Sequence, residues 1–83
     1  MQITIYSTTT CTTCVGLEKW LAQEGFTYEK RMADTDPAIM AEFMSVNDGM
    51  IGVPFTVITN DDGLVIKISG YDRKQFKEVL DIQ

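Results

Sequence analysis

Along this 83-residue chain the apolar positions switch between a spacing of two and a spacing near 3.6, and the switches mark out seven elements. Ile3 to Tyr6 alternates and is rich in strand formers, which predicts a first strand. Ser7-Thr8-Thr9-Thr10 is a polar loop. From Cys11 onward, Cys14, Leu17, Trp20 and Leu21 recur at helical spacing, and Glu24-Gly25 is the stop. Phe26, Tyr28 and Met32 alternate with polar residues, so 26–32 is expected to be a second strand. Asp36-Pro37 combines a capping side chain with proline in the first turn and so opens a second helix. Its apolar face is read as Ile39, Met40, Phe43 and Met44, with both methionines packed inward, and Asn47-Asp48-Gly49 ends it.

Met50 to Pro54 is a loop, and Phe55 to Ile58 a short apolar strand. Asn60-Asp61-Asp62-Gly63 is a hairpin turn, and Leu64 to Ile68 returns as a strand. Asp72 with Gln75 resembles a capping box ahead of a last amphipathic helix carrying Phe76, Val79 and Leu80. The order is β-α-β-α-β-β-α. Two βα units favour a parallel first pair, and the final hairpin adds an antiparallel one. An α/β domain with a four-stranded mixed sheet and three helices over both faces is expected, as one unit spanning 1–83.

Charge and composition narrow the partners. Seven Lys and Arg against twelve Asp and Glu leave a net charge of −5, which argues against nucleic acid and anionic membranes as partners. No apolar run approaches the roughly 20 residues that span a bilayer. The opening Met1-Gln2-Ile3-Thr4 lacks the cationic lead of a secretory signal, so a cytosolic location is expected.

Cysteine carries the chemistry. There are two, Cys11 and Cys14, and no histidine. A bridge over two intervening residues closes too small a loop to stabilise the chain much. A structural zinc site needs four ligands, usually Cys or His, and this pair supplies two. A cysteine where a helix begins sits beside unpaired backbone N–H groups and the positive end of the dipole, and both favour a thiolate. Lowering a thiol pKa from about 8.5 to about 6.5 raises the ionised fraction at pH 7 some twentyfold. The weaker nucleophilicity of a less basic thiolate offsets part of that gain.

Three residues make nearly one turn, so Cys14 falls on the same side as Cys11 and within disulfide reach. Cys11 at the exposed tip is the attacking thiol, and Cys14, one turn in and on the apolar face, is the resolving one. Thr12 and Thr13 are candidates to hydrogen-bond the sulfur. The alternative is two unrelated core cysteines packing as small hydrophobes. A C-x-x-C at a strand-to-helix junction favours the redox reading.

Val53-Pro54 precedes an apolar strand. It either marks the strand start or is a cis bond exposing the Val53 backbone, to which a substrate peptide adds like a short strand.

From Ile3 to about Leu80 the chain resembles a glutaredoxin, a protein of thioredoxin-like fold. The residues that carry the likeness are Ile5-Tyr6-Ser7 leading to Cys11-Thr12-Thr13-Cys14, then Gly52-Val53-Pro54-Phe55, then Ser69-Gly70-Tyr71-Asp72. The resemblance implies a nucleophilic Cys11 and a cis Pro54. It places Thr12, Thr13, Val53, Pro54, Ser69, Gly70, Tyr71 and Asp72 at the substrate. Glutathione-using members usually have a cation three residues before the first cysteine, where this chain has Thr8. Ser69-Gly70-Tyr71 is similar instead to the S-G-F segment of the NrdH-redoxins, which thioredoxin reductase reduces and which supply electrons to ribonucleotide reductase. Thr12-Thr13 and Ile68 depart from that branch's usual Val-Gln and Trp.

The resulting expectation is a monomeric thiol–disulfide oxidoreductase acting on disulfide-containing proteins, reset by thioredoxin reductase or glutathione, with no metal or organic cofactor. A glutathione-dependent glutaredoxin is the alternative within that class. A binding module, such as a dimer sharing an iron–sulfur cluster through Cys11, is the alternative outside it.

The remaining residues have plainer readings. Trp20 and Tyr28 are assigned to the core, Asp61-Asp62 to a solvated turn, and Asp72 to a helix cap, with a ligand role as its second reading. Tyr6 either packs beneath the active loop or simply completes its strand. Met50 and Ile51 are read as a partner-docking surface or as core filling. Gly16 costs its helix about 1 kcal/mol relative to alanine, which close backbone approach would explain.

Overall fold

Each predicted segment forms its element in the computed structural model, which describes residues 1–50 and 52–80. In order these are β1 (Gln2–Ser7), α1 (Thr12–Gln23), β2 (Glu29–Met32), α2 (Pro37–Val46), β3 (Phe55–Thr59), β4 (Val65–Ser69) and α3 (Arg73–Leu80). The strands lie in the order β2-β1-β3-β4. β1 runs parallel to β2 and antiparallel to β3, and β3 pairs antiparallel with β4. This is the mixed sheet of a thioredoxin-like fold.

The period-two alternation of β1 serves two cores. Ile3 and Ile5 join Leu17, Trp20 and Leu21 of α1 and Phe76 and Leu80 of α3 on one face. Tyr6 joins Phe43 of α2 and Phe55 on the other. Because β1 and β3 are central, both of their faces are covered, and Ile5, Tyr6, Phe55 and Thr56 are all buried.

Helix starts and stops follow local chemistry. Asp36 accepts from the Ala38 amide at 2.9 Å, with Pro37 next in line. Asp72 accepts from the Lys74 and Gln75 amides at 3.0 and 3.4 Å, the forward half of the expected capping box. At the end of α1, Gly25 at φ +84° allows its own amide to reach the Ala22 carbonyl and that of Phe26 to reach Leu21.

That closure corrects the second strand. The strand was expected over 26–32 but begins at Glu29, because the Phe26 amide is already spent on closing α1. Phe26 and Tyr28 still pack partly against the core. At the hairpin, β4 starts at Val65 rather than Leu64, whose amide bonds Asp62 within the turn.

A second correction concerns α2. Phe43 is buried, with Ile39 and Val46 packed beside it, whereas Met40 and Met44 are 39% and 54% exposed. Two stripes at i, i+4 spacing lie about 100° apart on any helix. The stripe facing the sheet is Ile39-Phe43-Val46, and the methionines face outward.

Tyr6 does more than complete its strand. Its ring packs against Phe43 and Phe55. Its hydroxyl donates to Glu42 Oε2 at 2.5 Å, and Arg31 Nε donates to the same oxygen at 2.6 Å. Burial first, then the Glu42 bond and charge, push the Tyr6 phenol up to about 12. The hydrogen bond from Tyr6, with that of Arg31, holds Glu42 below the usual carboxylate range. The network ties β1, β2 and α2 together.

Two predictions follow from these buried groups. The Tyr6 phenol ionises near 10 unfolded and about 12 folded, so the protein loses stability as pH rises between those values. Guanidinium unfolding across that range should show the loss, and Tyr6→Phe should lack this component of it. Thr56 is fully buried, and its hydroxyl has no partner among the described residues. Thr56→Val removes a desolvated donor at nearly constant shape and should raise the urea-derived stability by about 1 kcal/mol.

Candidate active site

The loop between β1 and α1 is pinned before the cysteines arrive. Thr9 donates to Asp34 Oδ2 through its amide at 3.0 Å and its hydroxyl at 2.7 Å. These bonds hold the Asp34 carboxyl below its ordinary range. The Ala33 amide reaches the Ser7 carbonyl at 2.9 Å, so the exit of β2 anchors the exit of β1. The Cys11 amide then closes back on the Thr8 carbonyl at 3.4 Å.

Cys11 is the N-cap of α1, with extended backbone dihedrals. Its sulfur accepts from the Cys14 amide at 3.1 Å, where a serine or aspartate oxygen usually stands. One of the four orphan N–H groups of the helix therefore points at sulfur. Cys11 is half-buried and Cys14 is 0% exposed, and the two form a disulfide with a Cα–Cα distance of 5.3 Å. Once the disulfide is reduced, negative charge on Cys11 Sγ faces a donor already in place, next to the positive end of α1. Thr12 and Thr13 are exposed in the first turn, and their hydroxyls make no bond to the sulfur among the described residues.

Strand register gathers the other segments at the same edge of the sheet. The pairs Tyr6↔Phe55 and Phe55↔Ser69 bring Ser7, Pro54 and Gly70 side by side just beyond the ladder. The Val53-Pro54 bond is cis, the second of the two sequence readings and the one that the resemblance implied. Pro54 is buried and Val53 half-buried. Among the described residues no backbone bond uses the Val53 amide or carbonyl. Gly70 donates to the Pro54 carbonyl at 2.8 Å from φ +82°, a region that favours glycine. Ser69 ends β4 and is exposed.

Tyr71 and Asp72 are already engaged. The Tyr71 ring lies over Gly16 and packs on Trp20 at 6.2 Å between centroids. The Asp72 carboxylate is the cap of α3. Met50 is 39% exposed, consistent with surface rather than core, and Ile51 lies outside the described residues. Sequence reasoning missed Asp34 as the loop anchor and Glu18, buried and 3.5 Å from Lys30, since each depends on a partner from a distant segment. No cluster of three or more metal-ligating side chains occurs among the described residues. No described helix is long and apolar enough to cross a membrane.

The sequence profile of the glutaredoxin family matches residues 3–63. No curated protein matches the chain. Among solved structures, a mutant of the thioredoxin-like protein BC3987 is similar at a TM-score of 0.79 and 23% identity, covering 99% of this chain and 97% of that one. The NrdH-redoxin of Escherichia coli is similar at a TM-score of 0.73 and 25% identity, covering 95% of each chain. A glutaredoxin from Archaeoglobus fulgidus is similar at 0.75 and 22%, covering 95% of this chain and 85% of that one.

The contact over Gly16 yields a prediction. A Cβ there would lie 3.6 Å from the Tyr71 ring, an ordinary van der Waals distance, so close approach does not exclude alanine. Gly16→Ala should stabilise the oxidised protein by about 1 kcal/mol through helix propensity, read from urea unfolding. A loss of stability would overturn the reading of this contact as one that accommodates a methyl group.

Proposed function

Since the chain belongs to the glutaredoxin family of thiol–disulfide oxidoreductases, we propose that it reduces protein disulfides through Cys11 and Cys14, as a redoxin of the NrdH type. One observation carries this assignment of roles. The Cys14 amide donates to the Cys11 sulfur at the start of α1, while Cys14 itself is wholly buried. The half-buried cysteine has an amide donor to stabilise charge on its sulfur, and the covered one is positioned to act second.

In the forward reaction the Cys11 thiolate attacks one sulfur of the substrate disulfide. That S–S bond breaks, a Cys11–substrate disulfide forms, and the other substrate sulfur leaves as a thiolate that takes up a proton. Cys14 gives up its proton and attacks Cys11 Sγ. The intramolecular disulfide forms, and the second substrate thiol leaves. Two electrons have passed to the substrate, and the protein is in the state seen here. The Val53 backbone groups, which no other backbone takes up among the described residues, suit a substrate segment adding beside Pro54.

Thioredoxin reductase is the proposed reductant and ribonucleotide reductase the proposed acceptor. Thr8 supplies no cation for a glutathione carboxylate, where charge-assisted bonds would be strongest. Asp72, which would otherwise face the tripeptide, spends its carboxylate on capping α3. The similar NrdH-redoxin is described as having a thioredoxin-like activity profile. Ser69, Gly70 and Tyr71 are proposed to border the substrate, with Thr12 and Thr13 flanking it on the helix tip. The protein is proposed to act as a cytosolic monomer formed by one domain.

Cys11→Ser should abolish disulfide reduction, whereas Cys14→Ser should accumulate a mixed disulfide with the substrate, seen as a mass adduct that dithiothreitol removes. The oxidised protein should be reduced by NADPH and thioredoxin reductase faster than by glutathione. Rapid reduction by glutathione, with none by the reductase, would reverse the choice of branch.

A further inference from the structure

The cations of this chain are unevenly used. Lys30 pairs with Glu18, Arg31 with Glu29 and Glu42, and Lys67 with Asp48, and all three lie on strands. The other four, Lys19 on α1 and Arg73, Lys74 and Lys77 on α3, have no carboxylate within ion-pair distance among the described residues. In a chain of net charge −5, the free positive charge is confined to the two helices that cover one face.

Arg73 differs from the three lysines because it is held in place. Its Nε donates to the Tyr71 hydroxyl at 2.8 Å, and its guanidinium carbon lies 5.7 Å from the centre of the same ring. That ring rests on Gly16 and Trp20 of α1, the helix that Cys11 caps. An exposed arginine ordinarily loses much side-chain freedom on binding an anion, and here part of that loss has already occurred. The Nη groups, which form the carboxylate-binding side of the fork, make no hydrogen bond among the described residues.

From these contacts we infer that Arg73, shelved on Tyr71, is a specificity-determining residue that selects disulfide substrates with an acidic side chain near the reacting cysteine. The inference rests on the oxidoreductase reading and adds the chemistry of the partner to it. Gly16 lies five residues from Cys11, about 7.5 Å along the helix axis. An extended substrate covers about 3.3 Å per residue, so the acidic side chain falls about two to three residues from its cysteine. The chain's net negative charge repels an acidic partner elsewhere, which makes this approach the favoured one.

The test uses two synthetic peptides with one internal disulfide, identical except for two Asp or two Asn within three residues of the cysteines. Each oxidises the pre-reduced protein in single turnover without added reductant, and the ratio of second-order rate constants, Asp over Asn, is measured at low salt. The wild-type ratio should be about three to five, the range of an exposed but ordered ion pair, and should decline toward one as salt is added. Arg73→Gln should bring the ratio close to one, and Arg73→Glu should invert it. Lys67→Gln, which removes the same charge from a strand, should leave the ratio as it is. A wild-type ratio near one, or an equal fall in Lys67→Gln, would overturn the assignment of Arg73 while leaving the oxidoreductase reading intact. Failure of both peptides to oxidise the protein would overturn both.

Discussion

A single hydrogen bond from a helix-start amide to sulfur organises this molecule. The Cys14 N–H must be satisfied at the opening of α1, and Cys11 rather than an oxygen-bearing cap accepts from it. The donor is backbone, so its direction is set by the helix and costs no rearrangement when charge develops on the sulfur. The second cysteine enters the same arrangement because it owns that amide, and its side chain turns toward the core. Cap, charge stabilisation and disulfide partner are thus three consequences of one local geometry.

Such a cap only works if the preceding loop arrives in the right place. β1 lies between a parallel and an antiparallel neighbour, which fixes the height of Ser7 against Ala33 on one side and Pro54 on the other. Asp34 then holds Thr9, and the chain has three residues, Thr8 to Thr10, in which to reach Cys11. The turn after β4 reaches the same rim through the Gly70–Pro54 bond and lays Tyr71 across α1. Three segments far apart in sequence therefore meet at one edge of the sheet, two of them braced by hydrogen bonds to backbone carbonyls.

The electrostatics of the face are unusual for so acidic a chain. Pairing neutralises the strand cations, and the remainder stand on α1 and α3. Tyr71 connects the two helices, lying over Gly16 of α1 and accepting from Arg73 of α3. The Gly16 contact of Tyr71 could not be identified from the S-G-Y segment, because it depends on how the turn folds over α1 rather than on spacing.

What the sequence determined alone was the set of features governed by neighbours within about one helical turn. Pro37 after Asp36, Gly25 after the last turn of α1, Asp72 ahead of α3, and Cys11 three residues before Cys14 each specify their own geometry through caps, left-handed backbone and helical pitch. The order of elements and the cysteine pair were legible for that reason. Tertiary structure decided every choice between locally equivalent options. Ile39-Phe43-Val46 and Met40-Met44 are equally good stripes, and only the side of α2 that meets the sheet separates them. Residues 26–28 alternate well enough for a strand, yet the closing turn of α1 claimed the Phe26 amide first. A side chain's local pattern shows what it can cover, but what is there to be covered is set by elements that arrive from elsewhere in the chain.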